Sequence, residues 1–443
     1  MSLIRSSLGD RPRAAVGHVT RRTFRSLGVR NYRLFFTGQL VSVSGTWMQT
    51  VAQNWLVLNL TDSGVHLGIT VALQFLPMLL FGMWGGLVAD RFDKRRVLLA
   101  AQAVAGLLAL TLWGLVATGT VRLWMVEVMA FLLGMVFVVD MPTRQSFVVE
   151  MVGPDEVPNA VGLNSAMFNA GRLIGPALAG VVISTAGVGS AFLVNAGSYL
   201  AVIAALVAMR PDELYREPAE DGARAGRRRP GQIRESFSYV WQDKLLRSTL
   251  LLVAVVGTFG LNLQVVLPLM ARYTFDGGPR LYGALAGVTA FGSLLGALMV
   301  AGRARPTWRL LVLAGAGFGM FTMVAAAVPT PLGVAIVLLG AGVLVMLFLA
   351  SANATLQLNS SPAMRGRVMA LYGQVLLGTT PIGAPLLGFV SGQWGARVGL
   401  AVCGAASLAA CAVALGAPAL RRRYPRAATG DYDAAEAEAF RAA

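Results

Sequence analysis

Long stretches of this chain run without one Asp, Glu, Lys or Arg: Leu34–Thr61, Val97–Val121, Leu173–Met209, Ser248–Ala271, Leu281–Gly302, Leu310–Met364 and Val398–Leu420. A helix that crosses a bilayer needs about 20 mostly apolar residues, so most of these stretches hold one crossing and the longest hold two or more. A transmembrane barrel would instead show alternating segments of about ten residues, and the chain has none. Over 443 residues, 56% are hydrophobic and the mean hydropathy is +0.65, which leaves too few polar residues to cover a soluble surface of that size. The expected fold is all-α and integral to the membrane.

Twelve crossings fit, near 33–59, 66–89, 97–118, 122–143, 161–184, 189–209, 247–271, 281–302, 309–328, 332–357, 368–391 and 398–419. A polar segment containing Arg227, Arg228 and Arg229 separates six from six. The expected organisation is a tail at 1–30, a six-helix bundle at 31–210, a linker at 211–245, a second bundle at 246–420 and a tail at 421–443. The net charge of +16 sorts with this layout. With the N-terminus inside, only Arg122, Arg272, Arg280 and Arg397 among the 37 Lys and Arg fall outside, and Arg172 falls within a crossing. That bias is the positive-inside rule, and it accounts for most of the basic excess without nucleic acid. The first 30 residues carry Arg5, Arg11, Arg13, Arg21, Arg22, Arg25 and Arg30 without the apolar core of a signal peptide, as suits a cytoplasmic tail.

Cys403 and Cys411 lie in one apolar helix and suit packing rather than a disulfide or a metal site, and His18 and His66 are isolated. No Walker motif, nucleophile triad or metal-ligand cluster occurs, so no cofactor, metal or enzymatic activity is expected and an ion gradient is the expected energy source. The "GAGFG" at 315–319 follows no strand and reads as helix packing.

The two halves repeat. Ile174, Gly175, Leu178, Gly180, Val182 and Gly187 match Ile382, Gly383, Leu386, Gly388, Val390 and Gly395 at a constant offset, which implies parallel halves related by an axis along the membrane normal.

"GGLVADRFDKRRVLL" at 85–99 concentrates charge between two crossings. Topology explains Arg91, Lys94, Arg95 and Arg96, but not Asp90 at the end of an apolar run. A carboxylate there suits an arginine partner or a helix N-terminus. This stretch and the 6+6 plan resemble the major facilitator superfamily, whose signature has the form G-x-L-x-D-R-x-G-R-R/K. Gly86, Asp90, Arg91, Lys94 and Arg95 stand at its positions, and Asp93 replaces its second glycine. "GTWMQTVAQNWLVLNLTDS", "DMPTRQSF", "GRLIGPALAG" and "NLQVVLPLMARY" narrow the resemblance to the bacterial branch with the enterobactin exporter and related drug and siderophore exporters. It implies that Asp90, Arg91 and Arg95 latch the halves together in the outward-facing state, with Gly86 allowing close helix approach.

"GLNSAMFNAGRLIGPALAG" resembles the fifth-span signature of drug:proton antiporters through Gly162, Gly171, Gly175, Pro176 and Gly180. Ordinary small-residue packing is the competing account. Arg172 lies about 12 residues into its crossing, roughly 18 Å by helical rise, and needs a wet cavity or a partner. Ser165 and Asn169 share its face, which makes the three the candidate substrate or gating surface. Asp140 and Glu127 are the two candidate proton carriers; Asp140 stands one turn from Arg144, where a local salt bridge is the alternative. Gln53, Asn54, Asn262 and Gln264 can bind substrate or hold helices together.

The expected function is a monomeric secondary transporter of the bacterial plasma (inner) membrane, with protons, small molecules and the lipid bilayer as its partners. It would export small organic compounds by proton antiport with alternating access. An importer of a small metabolite and a transport-inactive scaffold or sensor are the alternatives. A topology reporter fused at Gly226 or at Ala443 is expected to read cytoplasmic; a periplasmic reading at either site overturns the layout.

Overall fold

The structure, a computed structural model, describes residues 24–215, 232–301 and 307–415. The predicted tails and the basic run Arg227–Arg229 therefore lie wholly or largely outside the described residues. Six long helices form the first half: α1 (Arg30–Thr61), α2 (Gly64–Arg91), α3 (Lys94–Ala117), α4 (Leu123–Val152), α5 (Val157–Ala186) and α6 (Val188–Val207). A short helix, α7 (Gln232–Gln242), leads into α8 (Lys244–Val255) and α9 (Leu263–Leu269), which with two π turns make the seventh crossing. The rest are α10 (Pro279–Ala301), α11 (Trp308–Ala327), α12 (Pro331–Asn359), α13 (Pro362–Gly378) with α14 (Thr380–Trp394) as one crossing, and α15 (Ala396–Leu415).

Eleven of the crossings are long and apolar enough to span a membrane. The twelfth, α1, falls short because it carries Gln39, Ser42, Ser44, Gln49, Gln53 and Asn54, all of them buried. Its polar side chains thus face protein instead of lipid, which is where a membrane helix can afford them. Pro142 does not end α4, which continues to Val152, past the limit expected from the sequence.

The internal repeat is visible in the packing. A Cβ on Gly175 would strike Ser44 and Trp47 of α1; one on Gly383 would strike Thr258 and Asn262 of the seventh crossing. Five residues further on, Gly180 lies against Pro279 and Arg280 of α10, and Gly388 against Gly64 of α2. So each repeat helix packs one glycine on the first helix of its own half and the next on the second helix of the other half. Gly187 and Gly395, which close the repeat, both take positive φ, 82° and 88°.

Call the end with the 211–243 linker the linker end and the opposite one the far end. The apolar core is shared at the far end, where Leu58, Leu67, Ile183, Val265, Tyr282 and Leu387 form one cluster. Toward the linker end it splits into one cluster around Phe35, Phe147 and Leu206 and another around Trp308, Phe348 and Tyr372. Polar contacts between the halves gather where the core is shared. Arg272 binds Asp62 at 2.6 Å and the Asn59 side-chain oxygen at 2.7 Å, and Tyr273 donates to Asp62 at 3.1 Å. Asn54 donates to the Gln264 carbonyl and to the Tyr282 hydroxyl, both at 3.1 Å, and Arg280 donates to Ser184 at 2.6 Å. Gln374 reaches the Leu79 carbonyl at 2.6 Å, about midway along α2. The halves are closed at the far end and part toward the linker end.

This closure rests on residues that stood out in the sequence only as exceptions to the charge bias, Arg272 and Arg280. Arg272 also stacks over Trp55 at 5.9 Å. Asp62 is largely exposed, so its ion pair is worth only about 1 kcal/mol. That is enough to change a conformational ratio roughly fivefold. Arg272→Gln is therefore expected to raise the fraction open at the far end about fivefold, read as labelling of a cysteine placed at Leu67, buried in the shared far-end cluster, by a membrane-impermeant thiol reagent. Unchanged labelling would remove Arg272 from the closure.

Candidate functional site

The fifth crossing positions the site. On α5, Gly171 and Gly175 pack against α1, and Pro176 and Gly180 against Gly283 of α10. Helical periodicity places Arg172 and Ser165 between these two contact stripes. Because α1 itself meets α10 through Asn54 and Tyr282, this face of α5 looks into the space between the halves. Pro176 has no N–H to give the Arg172 carbonyl, so the helix is weakened at this level.

The Arg172 guanidinium lies over the Trp47 ring, 5.6 Å from its centroid. Phe168 meets the same indole edge-on at 6.0 Å. Among the described residues no carboxylate pairs with Arg172; the first-half acids in the spans are held elsewhere. A charged arginine at mid-membrane costs about 3 kcal/mol, and a desolvated cation–π contact returns about 2. The site keeps an unmet demand for hydrogen-bond acceptors. Neither Ser165 nor Asn169 is bonded to Arg172: Ser165 donates to the Val161 carbonyl at 3.0 Å and Asn169 to the Ser165 carbonyl at 2.9 Å.

Asp140 sits apart from this face, 4% exposed inside the first half. Gln102 of α3 donates to one of its oxygens at 2.8 Å, and Arg144 lies 3.7 Å from the other. Arg144 also reaches Gln39 of α1 at 3.3 Å. Alongside, Tyr199 meets Thr46 at 3.2 Å and Asn195 donates to Gln49 at 2.6 Å, which ties α6 to α1. Through Gln102 and Arg144 this buried carboxylate belongs to a network that links α1, α3 and α4. Glu127 is distant from it, near the far end, with His66 of α2 at 3.8 Å. The two candidate carriers are therefore separate sites, and His66 is not isolated.

The amides divide by role. Gln53 donates to Gln74 of α2 at 3.4 Å, and Asn54 joins the halves. Asn262 donates to the Gly257 and Thr258 carbonyls at 3.2 and 2.8 Å, where the seventh crossing is interrupted. Gln264 takes part through its carbonyl. The Gln53 and Asn54 side chains thus serve contacts between helices, the Asn262 side chain serves its own crossing, and among the described residues Gln264 contributes backbone alone.

At the end of α2, Asp90 is exposed and makes no hydrogen bond or ion pair among the described residues, and Arg91 is exposed too. Asp93 is the residue that caps a helix, accepting from the Arg96 amide at 2.9 Å at the start of α3. Lys94 pairs with Glu150, and Arg95 donates to the Leu206 and Val207 carbonyls at 2.7 and 3.1 Å. Close helix approach falls one residue before the expected one: a Cβ on Gly85 would strike the Val138 carbonyl of α4, whereas Gly86 faces open space. Sequence reasoning missed Gln102, Tyr199 and Asn195; a lone amide within the apolar run of α3 was the available signal for the first.

The profile of a family described as transmembrane secretion effectors matches residues 22–434. The staphyloferrin A transporter of Staphylococcus aureus is 27% identical over 60% of this chain and 66% of its own length, just under two thirds. The multidrug efflux pump Tap of Mycolicibacterium fortuitum is also 27% identical, over 80% of this chain and 88% of that one. Among solved structures, a bacterial homologue of the human lysosomal transporter Spinster, in an inward-facing and unoccupied conformation, superposes with a TM-score of 0.66 at 15% identity, covering 88% of this chain and 95% of that one. The nucleoside transporter NupG gives 0.66 at 13% identity over 88% and 98%. The matched profile spans nearly the whole chain, and the chain belongs to the transmembrane secretion effector family of major facilitator transporters.

Proposed function

We propose that this transporter exports small organic compounds, drug- or siderophore-like, from the cytoplasm across a bacterial plasma membrane by proton antiport with alternating access. The observation that carries the reading is the position of Arg172, on the face of α5 that looks between two halves closed at the far end and parted toward the linker end. The charge bias puts the linker end in the cytoplasm, so the site would face the cytoplasm, where an exporter loads. A relative that carries the name of a multidrug efflux pump supports the direction, and one named as the staphyloferrin A transporter supports a small organic substrate.

In this reading the proton is carried in the first half, by Asp140 or Glu127. Arg172 cannot carry it, since a guanidinium stays charged at any working pH. Protonating Asp140 would loosen Arg144 from it and so free the contact that Arg144 makes with Gln39 of α1. Asp90 and Arg91 would act in the opposite conformation, when the linker end closes and brings the second half to them. Arg95 already binds the end of α6, and would hold the loop in place for that closure.

Energised inside-out vesicles are expected to accumulate substrate, and collapse of the pH gradient to stop it. Asp140→Asn or Glu127→Gln should uncouple flux from the gradient, and Arg172→Ala should abolish flux at normal expression. Flux indifferent to the gradient in the unmodified protein overturns proton antiport; full coupling in both carboxamide variants overturns the assigned carriers.

Asp90→Asn is expected to preserve insertion and to shift the inward-to-outward ratio roughly fivefold to 150-fold. Accessibility of cysteine probes on the two faces measures it, and an unchanged pattern removes the latch role.

A further inference from the structure

We propose that the Arg172–Trp47 site binds aromatic organic anions in preference to neutral or cationic compounds of the same shape. The inference rests on the reading of α5 as the substrate face and names the chemistry that face selects. Three observations lead to it.

The first is the unspent hydrogen-bonding capacity. A guanidinium presents five N–H donors in a planar fork that matches a carboxylate or a phenolate. Among the described residues Arg172 makes no hydrogen bond or ion pair, and its one described contact is with the Trp47 ring. The hydroxyl of Ser165 and the amide of Asn169, its neighbours on the same face, donate to backbone carbonyls of their own helix. The guanidinium thus offers a guest donors on a fixed positive charge, while Ser165 and Asn169 keep side-chain oxygens that accept.

The second is the surrounding charge. Asp140 is held by Gln102 and Arg144 within the first half, and Glu127 stands near His66 toward the far end. On the opposite wall, the α10 residues from Leu281 to Gly302 include no ionisable side chain of Asp, Glu, Lys or Arg. Nothing there neutralises Arg172, so an incoming cation meets like charge in a low-dielectric space. A neutral compound would give the guanidinium at most an uncharged acceptor and no counter-charge, and a charge-assisted hydrogen bond is roughly twice as strong as a neutral one.

The third is the aromatic lining. Trp47 is partly exposed and Phe168 is 39% exposed, and the two rings meet edge-to-face at 76°. Phe168 lies one turn from Arg172 on α5, so a planar ring can rest on its free face while an attached carboxylate reaches the guanidinium. Arginine also stacks on aromatic planes, so a ring that bears the anion gains contact from both groups. Arg172 lies midway along α5, well away from lipid headgroups, which directs the site to a soluble anion.

Isothermal titration of the purified full-length protein with three probes of matched shape tests this: 2-naphthoate, 2-naphthylmethanol and 2-naphthylmethylammonium. The expected order has naphthoate binding at least about tenfold more tightly than either of the others. Arg172→Gln should cut naphthoate affinity about tenfold and leave naphthylmethanol within about twofold, and Arg172→Lys should retain part of the preference. Binding of the alcohol or the ammonium probe as tightly as naphthoate to the unmodified protein overturns the proposal, and that comparison needs no variant to fold. Naphthoate affinity unchanged in a folded Arg172→Gln protein overturns it as well. Because titration requires neither a gradient nor flux, a failure here leaves export standing, and gradient-independent flux leaves this site standing.

Discussion

Backbone lying on backbone across the two halves is the contact on which the rest of the far-end closure depends. It occurs twice, where α5 meets α10 at Gly180 and Gly283 and where α2 meets α14 at Gly64, Gly68 and Gly388. Lipid tails are as apolar as leucine, so helices in a bilayer gain little by hiding side chains from solvent. They gain by approaching closely enough for dispersion to act over the whole contact. A methyl group at Gly283 would strike the Pro176 carbonyl, and one at Gly388 the Gly64 carbonyl. Only with these surfaces together can Asn54 reach the Tyr282 hydroxyl and Arg272 reach Asp62. The polar contacts set the balance between states, and the glycine contacts make the closed state available.

The halves repeat one another in packing but not in chemistry. The first half holds the charge within the membrane: Asp140 and Arg144 in a shared network, and Arg172 on the inner face of α5. The second half has no ionisable Asp, Glu, Lys or Arg from Ser248 to Ala271 or from Leu310 to Met364. It has interrupted helices instead. The seventh crossing contains π turns at Val256–Gly260 and Met270–Thr274, and the eleventh breaks between Gly378 and Thr380. Such breaks leave backbone groups to be satisfied by neighbours, as Asn262 does for Gly257 and Thr258. One half therefore carries the charged groups within the membrane, and the other carries the interrupted helices.

The exceptions to a rule were the informative residues. Three of the four arginines that break the charge bias have a specific partner: Arg272 has Asp62, Arg280 has Ser184, and Arg397 has the Ala326 and Val328 carbonyls at the end of α11, while Arg122 is exposed. Arg172 breaks the exclusion of charge from the membrane core and rests on Trp47. A cation within the membrane must be held by contacts of its own, since its cost in lipid is not offset otherwise.

By itself the sequence determined the number of crossings, their approximate limits, the 6+6 division and the repeat. These follow from hydropathy, charge and spacing along the chain, and the bilayer imposes them locally on each segment. It also singled out Arg172, because a lone charge in an apolar run is visible without any fold. Only the tertiary structure decided which polar groups meet and which end is shut. Residues adjacent in sequence point about 100° apart on a helix, so Gly85 and not Gly86 meets α4, and Asp93 and not Asp90 caps a helix. Gln102 and Asp140, like Asp62 and Arg272, lie far apart along the chain. Their meeting depends on how whole helices turn toward one another, and no local property of either segment encodes that rotation.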